Sequence, residues 1–94
     1  NIYGAEAKYK VAQIYFDAGQ TEQAEKEVLD YIEVSTPHTY WLARSFVLLS
    51  DVYMKLGCNL DAKQYLLSLK QNYRADDDIA GMIESRLNKL NAEN

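Results

Sequence analysis

The chain has 94 residues, 48% of them apolar, with eight tyrosines, one proline, four glycines and a net charge of −4. That is one small domain, with room for a modest core and none for an elaborate active-site cavity, and with too little proline and glycine for an all-β or loop-rich fold. The negative balance argues against binding nucleic acid through its phosphates or resting on an anionic membrane surface, and no apolar stretch approaches the ~20 residues of a membrane span.

From Ile2 to Ala18 apolar residues recur at helical spacing: Tyr3, Ala7, Val11, Ile14, Tyr15 and Ala18. Gly19 ends this helix, as glycine does where the last turn requires a left-handed residue. Thr21 is the expected N-cap of a second helix, with Ala24, Val28, Leu29 and Ile32 as its buried stripe and Glu22 and Glu25 at its positive end. Ser35-Thr36-Pro37 interrupts the pattern, Thr36 as a cap and Pro37 in the first turn. A third helix follows to about Leu56, with Leu42, Phe46, Leu49 and Tyr53 on one side. Gly57 and Asn59 then repeat the roles of Gly19 and Thr21. The fourth helix turns Ala62, Leu66, Leu69 and Tyr73 inward. After Asp76-Asp77-Asp78 a fifth helix carries Ile79, Met82, Ile83, Leu87 and Leu90 on one face.

One pattern occurs twice. Ala12-x-x-Tyr15-x-x-x-Gly19-x-x-x-x-Ala24 returns 38 residues later as Ser50-x-x-Tyr53-x-x-x-Gly57-x-x-x-x-Ala62. The same shift aligns Ala5 with Ala43, Ile14 with Val52, Val28 with Leu66 and Leu29 with Leu67. A period of this size means stacked supersecondary units, which typically present a surface to another chain.

These two units resemble tetratricopeptide (TPR) repeats. The small residue of the first helix is Ala12 or Ser50, the aromatic three later Tyr15 or Tyr53, and the turn glycine Gly19 or Gly57. The small residue of the second helix is Ala24 or Ala62, followed by Val28 or Leu66. The leucine-like residue before the first small one is Val11 or Leu49. Two departures stand out: the period is 38 rather than the family's usual value of about 34, and the early tryptophan is replaced by Lys8 and Phe46. Four extra residues add about one helical turn; such lengthened units are similar to those of TPR proteins of bacterial cell envelopes. The resemblance implies an all-α fold: two helix-turn-helix hairpins, over about 5–38 and 43–76, stacked as a short right-handed solenoid, with a capping helix over about 78–91, all in one domain over 1–94. It also implies a non-catalytic protein–protein interaction scaffold whose partner is another polypeptide, bound along the concave face of the first helices. That face would show Glu6, Tyr9, Gln13, Phe16 and Asp17, then Arg44, Val47, Asp51, Met54 and Lys55. Of these, Tyr9, Gln13, Phe16, Val47, Asp51 and Met54 are the expected partner-binding set, with apolar anchors filling pockets and polar neighbours fixing register. The competing expectation has Phe16 and Met54 packed against a further repeat. A second reading of the whole makes this the C-terminal cap of a longer TPR solenoid without a ligand of its own, the polar face Glu84, Ser85, Asn88 and Lys89 turned to water. Some TPR modules clamp a C-terminal carboxylate with lysine and asparagine; Tyr9 and Gln13 stand at those first-unit positions, so that activity is not expected.

No catalytic residue, cofactor or metal is expected. The three aspartates lack the alternating ligands, glycine and distal glutamate of a calcium loop, and acidic residues opening a helix are explained by capping. His38, the lone histidine, sits at a helix start with only Ser35 and Thr36 near it. Cys58 is a solitary turn cysteine without an activating base or a disulfide partner. Of the adjacent aromatics Tyr40 and Trp41, one is expected in the core and the other partly exposed. The sequence opens Asn-Ile-Tyr-Gly, as expected of an excerpt of a longer array. Two and a half units should be only modestly stable, with an apolar edge around Ile2, Tyr3 and Tyr9 open to self-association.

Overall fold

The computed structural model describes residues 2–33 and 39–92, with side chains from Gly4 onward. The expectations for Ser35, Thr36, Pro37 and His38, and for the Ile2 and Tyr3 side chains, lie outside the described part. Five α-helices account for most of the rest: α1 (Ile2–Asp17), α2 (Thr21–Glu33), α3 (Thr39–Lys55), α4 (Asn59–Asn72) and α5 (Ile79–Ala92). No strand occurs among the described residues. The molecule measures 40 × 31 × 19 Å, so its thin dimension is about two helix diameters of ~10 Å each.

Both inter-helix turns in the repeat have the same chemistry. Gly19 and Gly57 each have φ of 81°, a left-handed conformation that a Cβ disfavours. At the first turn the Gly19 N–H donates to Phe16 O and the Gln20 N–H to Tyr15 O; at the second, Gly57 donates to Met54 O and Cys58 to Tyr53 O. These paired bonds form Schellman motifs, closing carbonyls that a helix end would otherwise leave unsatisfied. The next helices are capped one residue earlier than Thr21 and Asn59 would have it. The carbonyls of Gln20 and Cys58 accept the first helical bonds, from Ala24 and Ala62, and Cys58 is the N-cap of α4 without a side-chain cap bond. Starting the helix directly after the Schellman turn leaves no residue for a separate polar cap.

Packing follows the repeat. Ala12 and Ala24 in the first unit, and Ser50 and Ala62 in the second, are buried where the helices cross, as are Val28 and Leu66. The buried Ser50 hydroxyl donates to Val47 O and that of Ser45 to Trp41 O, so neither leaves an unpaired polar group in the core. α3 touches all four other helices. For that reason it is buried on several sides, including Ala43, Val47 and Leu48, rather than on the single Leu42–Phe46–Leu49–Tyr53 face the sequence suggests. It contributes to both apolar clusters, one with α1 and α2 and one with α4 and α5.

Two further expectations need correcting. In α2 the third buried residue is Tyr31, and Leu29 is exposed; the docking angle places the 24/28/31 side of the helix inward. In α1, Val11 and Ile14 are exposed whereas Tyr9 is buried at 6%. The open apolar edge is therefore the Ala7–Val11–Ile14 side of α1, not Tyr9. At the other end Ile79, Ile83, Leu87 and Leu90 are buried as expected, and the aspartates open α5. The Ile79 N–H donates to Asp77 Oδ1, and the Met82 N–H to Asp78 O.

Candidate functional site

α1, α3 and α5 lie side by side, since α3 touches both of the others, and a groove of about 520 Å³ opens between them. Its walls are Phe16 from α1, Asp51, Met54 and Lys55 from α3, and Ser85, Arg86 and Lys89 from α5. Phe16 and Met54 are half-buried, each packed against a core cluster with part of its surface facing the groove. Across the floor Arg86 grips Asp51 with two parallel bonds, Nε to Oδ1 at 2.7 Å and Nη2 to Oδ2 at 2.9 Å. A third bond, from Nη1 to Met82 O, fixes the guanidinium against its own helix. With Asp51 neutralised by Arg86, Lys55 and Lys89 remain; neither has an ion-pair partner among the described residues. The groove is thus locally cationic in a chain of charge −4.

Further along the same face an aromatic cage surrounds Arg44. Its guanidinium carbon lies 4.9 Å from the Tyr9 ring centroid, 5.8 Å from that of Trp41 and 5.9 Å from that of Tyr40. Nη1 donates to the Tyr40 hydroxyl and Nη2 to the Tyr9 hydroxyl, both at 3.0 Å. Burial opposes the Arg44 charge, but the two hydroxyls outweigh it and hold its pKa above the ordinary arginine value. Tyr40 passes the interaction on, donating to Asp78 Oδ1 at 2.8 Å. Burial pushes the Tyr40 pKa up, with Asp78 adding to the rise and Arg44 opposing it. Cation–π contacts and charged hydrogen bonds of this kind lock a long side chain in one rotamer, so α1, α3 and the start of α5 are tied together at this end. Tyr40 and Trp41 are both half-buried, sharing the work of the cage rather than dividing into one core and one surface ring.

Of the six residues expected to bind a partner, Phe16, Asp51 and Met54 meet in the groove. Tyr9 and Val47, 6% and 3% exposed, lie beneath the face. Gln13 is half-buried in a ladder along α1, accepting from the Tyr9 hydroxyl and donating to Asp17. Tyr9 supports the face through Arg44 instead of presenting its ring to a ligand. The wall contributed by α5 was not expected. The signal is the repeat itself, since Leu49 and Val52 recur as Leu87 and Leu90 at the same 38-residue interval, which makes α5 a third helix of the α1 and α3 type.

Among the described residues no group of three or more His, Cys, Asp or Glu could hold a metal ion, and no helix is long and apolar enough to cross a membrane. Cys58 is exposed. The fold and groove define an all-helical protein with repeated hairpins. The sequence matches no family model and finds no significant match among curated proteins or solved structures.

Proposed function

We propose that this chain is a non-catalytic protein-interaction module that takes a peptide or helix of another polypeptide into the groove between α1, α3 and α5. The observation that carries the reading is the groove's composition: two apolar anchors, Phe16 and Met54, beside Lys55, Arg86 and Lys89, drawn from three helices. Apolar side chains of a ligand would fill the space against Phe16 and Met54, where most of the affinity of such contacts arises. The lysines would steer and orient an acidic segment. The likeness of the repeated Ala/Ser–Tyr–Gly–Ala pattern to TPR units supports the same reading, because that family binds polypeptides on the corresponding face. Tyr9 and Val47 serve here as the packing beneath the binding residues, and Gln13 links Tyr9 to Asp17 along α1.

A second reading, the structural end of a longer TPR stack, is favoured by the outer side of α5, where Glu84, Asn88 and Asn91 are exposed. The two readings part on whether the groove has a ligand. Selection of displayed random peptides against the immobilised domain tests this. Enriched sequences should combine acidic residues with an aromatic or aliphatic anchor, and Phe16→Ala/Met54→Ala and Lys55→Glu/Lys89→Glu variants of unchanged helicity should each lose them. Enrichment that survives both variants sinks the groove reading.

A further inference from the structure

We propose that the outward stripe of α1, formed by Ala7, Val11 and Ile14, seats a further helical hairpin of the same kind, whose second helix covers the stripe and whose first helix sets a carboxylate against Lys10. The chain contains this interface twice already. On α3 the stripe is Ser45, Leu49 and Val52, all buried, and α3 packs on α2, with Leu49 in one cluster with Val28. On α5, again 38 residues on, it is Ile83, Leu87 and Leu90, all buried, and α5 packs on α4 in one cluster with Leu66 and Leu69. On α1 the same three positions are exposed, Val11 at 42% and Ile14 at 66%. Two of three equivalent helices therefore specify what belongs on the third: a helix with the small–aliphatic–large stripe of α2 (Ala24, Val28, Tyr31) or α4 (Ala62, Leu66, Leu69).

Lys10 looks at first like an obstacle, because its counterpart on α3 is the buried Leu48. Its counterpart on α5 is Arg86, and there the cation is accommodated by Asp51 on the first helix of the preceding unit. The position thus accepts a positive charge when the neighbouring first helix offers a carboxylate at the register of Asp51. Among the described residues Lys10 pairs with Glu6 on its own helix, the two side chains 63% and 39% exposed. Such a pair is weak and readily exchanged. The occupant is accordingly a hairpin with an apolar second-helix stripe and an acidic residue at the position of Asp51.

A tandem chain in which residues 5–42 are fused directly ahead of Ala5 reproduces the 38-residue register and places an α2-type helix over the stripe. The added helices should form, the chain should unfold in one transition, and its Tm should exceed that of the original by at least about 4 °C. Gln13→Asp in the added unit should raise Tm further, and Lys10→Gln in the covered unit should remove that increment alone. Ile14→Glu in the covered unit should abolish the whole gain, while the same change in the original chain, at an exposed site, leaves its melting nearly unchanged. Added helices that stay unfolded or melt separately would overturn the proposal, since they have only this face to close on. So would a gain that survives Ile14→Glu. Sedimentation showing the original chain as a dimer that Ile14→Glu disperses would also overturn it, because the occupant would then be a second copy.

Discussion

The ion pair between Asp51 and Arg86 holds α5 to α3 and forms the groove floor, so its loss should be felt in both stability and shape. The side chains are 21% and 26% exposed, between the two regimes for which magnitudes are known. Exposed pairs contribute about 0.2–1 kcal/mol, whereas removing one partner of a buried pair costs about 3–5 kcal/mol. The geometry here is bidentate, and the bond from Arg86 to Met82 O has already restricted the guanidinium, so little side-chain entropy offsets the gain. A coupling energy of about 1.5 kcal/mol follows, at the lower end for hydrogen bonds to charged groups. In a domain of 94 residues that corresponds to a Tm loss of roughly 6–12 °C. The assay is a double-mutant cycle by urea denaturation: the parent, Asp51→Ala, Arg86→Ala and the double variant at neutral pH. Partial exposure also predicts a coupling that weakens with added salt without vanishing. A coupling below about 0.5 kcal/mol, within the range of simple additivity, would mean that the pair contributes nothing of its own and leave α5 held by its apolar stripe alone.

Other consequences are equally direct. Gly57→Ala should cost about 1–2 kcal/mol in a thermal or urea melt, and Gly57→Asn less, because nothing lies within 4 Å of an added Cβ and only the backbone conformation resists; an alanine variant as stable as the parent would remove the left-handed turn from the account. Tyr31→Phe should be neutral or stabilising, since the buried Tyr31 hydroxyl has no hydrogen-bond partner among the described residues and deleting an unsatisfied polar group relieves its desolvation cost. Destabilisation beyond about 1 kcal/mol would show that the hydroxyl is in fact satisfied. Alkaline titration of tyrosinate absorbance should reveal late-ionising groups. Burial and the Asp77 carboxylate push Tyr73 up to about 12, and burial with Glu25 raises Tyr53 likewise. Because these folded-state values exceed the unfolded value of about 10, stability from these groups is complete below about pH 10 and drains away as pH rises through the folded values. Uniform titration near pH 10 in the folded protein would contradict this.

The periodic part of the structure was legible in the sequence because it rests on local rules. The glycine turns, the small residues at helix crossings and the apolar spacing of α5 each depend on a few neighbouring residues. Depth was harder to read. Tyr9 and Val47 lie on the expected face, yet helical spacing gives a direction and not a distance below the surface; the Arg44 cage and α3's central position cover them. Leu29 and Tyr31 are two positions apart on α2, and only the angle at which the helix docks decides which is buried. The α5 wall of the groove depends on Asp51 and Arg86, 35 residues apart, a pairing no local pattern encodes. Following the 38-residue register one step past Leu49 and Val52 to Leu87 and Leu90 would have exposed it.

The most direct test of the binding account is a pull-down from the source organism's lysate with the domain beside a Phe16→Ala/Met54→Ala variant of equal helicity. The expected result is a polypeptide retained by the parent, lost by the variant and released by added salt as the lysines around the groove are screened. A partner held equally by both would move binding to another face, and a folded, monomeric domain that retains nothing would contradict the account.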